Sequence, residues 1–259
     1  PSGYVALLGD ATLANGRVAA LQVNVGTQIT TVRLINSVTA YPIDTVINTI
    51  GYQNIFDNGR ASWAQNGVTG QAVSQSPAQL GNALLNDGNG NQWALVHAGL
   101  IDVLKLGADR SGAADTYPIS FAAHVALSVQ GGRIHYPQGA YRHLQTFFVD
   151  ANAITVSGDG GGPWVNTSWL LADHTNGPVI HFRAGSPHMR DINIESSPTR
   201  AAFAASSSNN FGFLYEPVDI AGQLLADGTF ERIGVADQPD TGWVMSAGIR
   251  RSVLTQVYS

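Results

Sequence analysis

Gly107-Ala108-Asp109-Arg110-Ser111-Gly112-Ala113-Ala114-Asp115-Thr116 leads into a helical pattern, which runs out at Gly131-Gly132-Arg133-Ile134-His135-Tyr136-Pro137-Gln138-Gly139-Ala140-Tyr141. The spacing predicts a helix over about 116–130. Asp115 or Thr116 can cap it, and Pro118 sits in its first turn, where a missing N–H costs nothing. Ile119, Ala122, Ala123, Ala126 and Val129 form one apolar stripe, and Gly131-Gly132 ends the pattern. Arg133 to Tyr136 then reads as a strand closed by Pro137.

Downstream, from about residue 150, short runs recur without a strict repeat: Ile154-Thr155-Val156, Val179-Ile180-His181-Phe182, Ile192-Asn193-Ile194, Phe213-Leu214-Tyr215, Ile233-Gly234-Val235 and Trp243-Val244-Met245. Each carries apolar side chains two apart and is bounded by Gly, Pro, Asp or Asn, which is the period of a half-buried strand. Strands this short with no helices between them favour a solenoid, whose coils bury their inward faces on their neighbours. A sandwich would show longer strands at steadier spacing. Ile192, Ile194, Ile233 and Val235 are expected to point inward.

Upstream the pattern differs. Residues 1–50 alternate β-prone runs with turns: Tyr4 to Leu8, Val18 to Val25, Ile29 to Ile35 and Val46 to Ile50. Residues 51–100 carry turn signals at Asp57-Asn58-Gly59, Asn66-Gly67 and Asp87-Gly88-Asn89-Gly90-Asn91. Pro77 to Leu85 reads as one or two helical turns, Gln92 to Val96 as a strand, and Leu100-Ile101-Asp102-Val103 as another. The fold class expected is therefore mainly β. It divides into a β-rich module at 1–50, a connecting β segment at 51–100, and a helix followed by a β-solenoid at 101–259.

Composition narrows the function. The 259 residues are 44% hydrophobic, only 12% charged and carry 29 glycines, so the polar surface rests on Asn, Ser, Thr and Gln rather than Lys and Glu. A single lysine, Lys105, and three glutamates, Glu195, Glu216 and Glu231, leave little for helical surfaces. A net charge of −5 argues against a nucleic-acid-binding face or a basic membrane-surface helix. No segment is apolar enough to insert as a membrane span. The absence of cysteine removes disulfide frameworks, zinc ribbons and thiol nucleophiles together.

The ordered combination at 107–141 resembles the entry of pectate-lyase-like right-handed β-helices, where an amphipathic helix covers the open N-terminal end of the solenoid. Ala114 before Asp115 and Tyr117-Pro118 after Thr116 depart from that family's usual pattern and bear on where the helix starts. Ile154 to Gly160 and Met189 to Ile194 look like the first regular coils, so the resemblance covers about 100–259. Gly51-Tyr52, Asp57 to Trp63 and Asn91 to Val96 are similar to the segment that precedes the β-helix in phage tailspikes and tail fibres.

That resemblance implies a homotrimer located in the virion tail, extracellular on the host surface during attachment. It further implies an N-terminal module docked to tail or adaptor proteins, and binding of bacterial surface polysaccharide, sometimes with cleavage. Two other readings are a secreted bacterial polysaccharide lyase or hydrolase of the same fold, and a structural adaptor without glycan contact. Because Val253-Leu254-Thr255-Gln256-Val257 brings neither a polar coil nor a covering helix, the polypeptide is expected to continue past Ser259. Glycan recognition and catalytic carboxylates are then expected mainly downstream, with 1–259 binding the tail but neither binding nor degrading polysaccharide.

No catalytic, cofactor-binding or metal-binding residue is assigned from the sequence, and no cofactor is expected. Glycoside cleavage needs two carboxyls at a set separation. Asp191 and Glu195 both point outward from one strand, four residues apart, and read as solvated charges; Asp237 and Asp240 read as turn residues around Pro239. His97, His124, His135, His143, His174, His181 and His188 form no close metal pair. No G-x-S-x-G elbow accompanies the serines. Gly158-Asp159-Gly160-Gly161-Gly162-Pro163 lacks the lysine and helix of a phosphate loop and reads as a coil corner. Trp164, Trp169 and Trp243 could stack on sugars, although Trp243 shares strand parity with Met245, which favours the core.

Overall fold

A computed structural model of the chain describes residues 46–49, 52, 59–74, 76–160, 167–175, 177–197, 212–215, 227–236, 238, 243–245 and 251–258. The β-prone runs expected at Tyr4 to Leu8, Val18 to Val25 and Ile29 to Ile35 lie outside these residues. The chain forms two compact units. One comprises residues 1–80 and 84–96, the other 81–83 and 97–259.

In the first unit, β1 (Val46–Thr49), β2 (Ala61–Gln65), β3 (Leu84–Asn86) and β4 (Gln92–Leu95) form an antiparallel sheet in the order β1-β2-β4-β3. Ile47, Trp63, Leu85 and Trp93 are fully buried on it. The Asp87 turn is self-satisfied: its carboxylate accepts from Asn89 N at 2.8 Å, Asn91 N at 3.0 Å and Trp93 Nε1 at 3.0 Å. The helical reading of Pro77 to Leu85 is corrected at its end. Helix α1 covers only Pro77–Leu80, because Gly81 takes a positive φ of 60° and Leu84-Leu85 pair with β4 as strand.

The second unit is a three-sided parallel β-helix. Its strands are β5 (Leu100–Asp102), β6 (Ser111–Asp115), β7 (Gly132–Tyr136), β8 (Gly139–His143), β9 (Phe147–Val149), β10 (Ile154–Gly158), β11 (Ser168–Ala172), β12 (Ile180–Phe182), β13 (His188–Ser196), β14 (Phe213–Tyr215), β15 (Asp227–Ala236), β16 (Trp243–Met245) and β17 (Arg251–Tyr258). Strands β5, β7 and β10 and the first parts of β13, β15 and β17 stack in parallel as the first side. The second side stacks β6, β8 and β11 with the later parts of β13, β15 and β17. The third is β9-β12-β14-β16.

β13 serves two sides because it bends at Asp191, whose φ is +57°, and β15 bends at the equivalent Arg232, with φ +50°. Left-handed backbone turns the chain there without a loop. Inward columns fill the core. Ile101, Ile134, Val156, Met189 and Phe230 stack on one side, Tyr141, Leu170, Ile194 and Val235 on the next, and Phe147, Ile180 and Phe213 on the third. Ile192, Ile194, Ile233 and Val235 are buried as expected.

Helix α2 (Tyr117–Leu127) packs on β7, β9 and a 3-10 turn at Val103–Leu106 through Ile119, Ala122, Ala123 and Leu127. Its N-cap residue is Thr116, but the capping oxygen comes from Asp115, which accepts from Tyr117 N at 3.0 Å and from Leu144 N at 3.1 Å. Asp115 therefore ties the helix start to the next coil. The helix ends at Leu127, earlier than the spacing predicted, so Val129 falls beyond it and is 96% exposed. Gly132 has φ +142° and lies so close to the previous coil that a Cβ there would meet Gly99 O at 2.4 Å. That contact is the physical content of the Gly-Gly signal.

Candidate functional site: the outer face of the first side

Outward residues of the first side fall into two rows perpendicular to the strands. Leu100, Arg133, Thr155, His188, Thr229 and Val253 form one row; Asp102, His135, Ser157, Arg190, Glu231 and Thr255 form the other. Strand alternation sends these side chains away from the core that Ile134, Val156, Met189 and Phe230 fill. Arg133, Thr155, His188, Arg190, Thr229 and Glu231 line a cavity of about 420 Å3, floored by Met189.

The lower part of the face is internally bonded. His135 Nε2 lies 3.1 Å from an Asp159 oxygen and its Nδ1 3.3 Å from Ser157 Oγ. Asp102 accepts from Leu104 N at 2.8 Å, and burial pushes its carboxyl above the usual range. Glu231 lies opposite Arg190 in the ladder, yet its nearest cation is Arg232 at 3.9 Å. The guanidinium groups of Arg133 and Arg190 have no hydrogen-bond or ion-pair partner among the described residues. Three other arginines of the unit are committed, Arg142 to Asp173, Arg183 to Asp150 and Arg232 to Asp191, while Arg110, which is not part of the cavity lining, also has no side-chain partner among the described residues.

Asp191 does not pair with Glu195. Its carboxylate receives Arg232 through two nitrogens, the longer bond 2.9 Å, and holds the corner between the first and second sides. Glu195 is half-buried on the second side, opposite Leu171. Asp237 and Asp240 lie outside the described residues, as do Trp164 and Gly161-Gly162-Pro163. Gly158 and Gly160 do form a coil corner: a Cβ on Gly158 would meet Ser168 Cβ and Asp191 O at 2.6 Å, and Gly160 N donates to Asp191 O at 2.9 Å. Trp169 is half-buried and outward; Trp243 stands in register with inward Phe213, its side chain outside the described set.

The described histidines serve different contacts. His124 Nε2 accepts from Asp150 N at 3.2 Å, His181 lies 5.5 Å from the Phe148 ring, and His143 bonds Ser120 Oγ through Nε2 at 3.0 Å. That serine–histidine pair is wholly buried and no carboxylate meets His143 Nδ1, so it is structural and not a nucleophile. No group of three His, Asp or Glu among the described residues could hold a metal ion. What sequence reasoning missed is the first-side face itself. The residues that line its cavity come from four coils, and only the register brings them together.

No protein-family model matches the chain, and no curated protein matches it either. Solved structures do. A tailspike protein gp49 from Acinetobacter baumannii bacteriophage Fri1, a capsular polysaccharide depolymerase, superposes with a TM-score of 0.63 at 12% identity, covering 88% of this chain and 42% of its own. The enzymatically active domain of bacteriophage CBA120 tailspike protein 2 gives 0.61 at 12% identity over 98% of this chain and 36% of its own. WceF of Pantoea stewartii, a glycan biofilm modifying enzyme with a tailspike-like parallel β-helix, gives 0.50 at 11% identity over 89% and 40%. The chain thus spans well under half the length of each of these proteins. Identities this low speak to architecture alone, and the architecture is the parallel β-helix of the phage tailspikes.

Proposed function

We propose that this chain belongs to a phage tailspike or tail fibre, located in the virion tail and exposed to the host surface during attachment. In this reading residues 1–50 dock to tail or adaptor proteins, 51–100 connect, three copies assemble, and the β-helix from 101 itself presents a saccharide-binding face, in departure from the expectation that 1–259 bind no polysaccharide. The observation that carries it is the parallel β-helix with α2 packed at its start, a fold shared with the tailspikes. Binding rather than cleavage is assigned to the first-side face, since Asp191 and Glu231 both answer to Arg232 and no opposed pair of carboxyls spans the cavity. No helix among the described residues is long and apolar enough to cross a membrane.

A second reading, a secreted bacterial polysaccharide lyase or hydrolase, draws support from the Pantoea stewartii enzyme. Immunogold labelling of virions with an antibody to this chain separates the two. Label at the tail is the expected result; unlabelled virions, with the antigen in the supernatant of uninfected bacteria, would establish the secreted enzyme instead. Light scattering of the purified chain should give three times its 27.3 kDa mass, and a monomer at micromolar concentration contradicts the trimer.

A further inference from the structure

We infer that the first-side cavity binds an anionic saccharide, with Arg133 and Arg190 as the groups that grip its acid. This rests on the saccharide-binding reading above and deepens it by naming the charge class of the sugar. What sets Arg133 and Arg190 apart from the other unpartnered arginines among the described residues, Arg60 and Arg110, is that they line one cavity together. Arg142, Arg183 and Arg232 are each held by an aspartate, whereas Arg133 and Arg190 meet none among the described residues and line the same cavity. An Arg fork is built for two parallel bonds to a carboxylate or phosphate, so its unfilled valence defines the missing ligand's chemistry.

The rest of the lining suits a sugar. Thr155 and Thr229 offer hydroxyls, His188 offers ring nitrogens, and Glu231 offers an acceptor for sugar hydroxyls. Arg133, Thr155, His188 and Thr229 stand on four adjacent strands. Strands repeat every ~4.8 Å, close to the length of one pyranose, so a glycan lying along the row meets equivalent positions unit by unit. With Arg133 in one row and Arg190 in the other, two coils away, a single acidic unit can be reached from both sides.

Calorimetric titration of the full chain with tetragalacturonate, glucose 1-phosphate and neutral maltotetraose tests the assignment. The two anionic probes distinguish a carboxylate from a phosphate as the natural acid; binding of either supports the proposal. Maltotetraose should bind at least about tenfold more weakly, and raising sodium chloride from ~50 mM to ~500 mM should weaken the anionic probes but not the neutral one. Arg133→Gln and Arg190→Gln should each cost about tenfold in affinity, or about 1.4 kcal/mol, while Arg60→Gln in the other unit leaves binding unchanged. Circular dichroism confirms that each variant is folded. Preference for maltotetraose, folded Arg variants that bind like the parent, or no anionic binding by the folded parent would each overturn the inference. Virion labelling reads location and not charge, so either idea can fail while the other stands.

Discussion

Inside the first full coil, His143 is wholly buried, with Tyr136 donating to Ser120 Oγ at 2.7 Å and Ser120 in turn meeting His143 Nε2. His143 Nδ1 has no partner. Burial, aided by nearby His174, lowers the imidazole from its ordinary 6.5 to about 3. The sign follows from linkage. Below pH 6.5 the unfolded chain takes up a proton that the folded chain refuses, so stability is full above that pH and is lost as pH falls toward 3. The slope from this one group is about 1.4 kcal/mol per pH unit. His124 and His97 are also lowered by burial and act in the same window, whereas the depressed carboxyls Asp109, Asp150 and Asp173 matter only at more acid pH. His143→Phe should therefore flatten the urea midpoint between pH 6.5 and 4.5 relative to the parent. Parallel pH profiles for the two proteins would show that His143 titrates normally in the fold.

Among the elements, the helix and the apolar strands were legible because their signals are local. Pro118, the small-residue stripe and Gly131-Gly132 mark α2, and Ile154, Ile192, Phe213 and Ile233 sit in strands as their alternation predicts. Strands β6, β8 and β11 were not marked as strands, for a physical reason: their inward positions include His143 and Ala172, and β6 reads Ser-Gly-Ala-Ala-Asp, so hydrophobic alternation fades. The corner residues Asp191 and Arg232 were equally invisible, since nothing in a sequence announces a non-glycine at positive φ. The candidate site was least legible of all. Arg133, Thr155, His188 and Thr229 become neighbours only after loops of unequal length set the coil register. Strain at the corner can be measured directly. Asp191→Ala and Asp191→Gly both delete the bond to Arg232, but only glycine accepts φ +57° freely. The glycine variant should be more stable than the alanine variant by about 1 kcal/mol in urea unfolding; equal midpoints would mean the corner relaxes once its ion pair is gone.

For the whole β-helix unit, each coil touches only the coils before and after it, so its stability is a sum of nearest-neighbour terms rather than the property of one central core. Phe230 is a junction in that stack. Its ring is fully buried, lies 5.1 Å from Phe213, and meets Phe182 and Tyr215 at 5.8 Å, so it joins β15 to the third side of the two coils before it. Truncation to alanine removes those ring contacts and leaves a cavity, at a cost of about 3–5 kcal/mol. In a globular core that loss would be felt everywhere. Here it should be felt unevenly, because α2, β7 and β8 are held by Ile119, Leu127, Tyr136, Tyr141 and the Ser120–His143 network, none of which involves Phe230. Hydrogen exchange on Phe230→Ala should therefore show protection lost first in β13 to β17 and largely retained in β7 and β8. If amides at both ends of the unit accelerate by the same factor, the solenoid unfolds as a single cooperative block and the nearest-neighbour account is wrong.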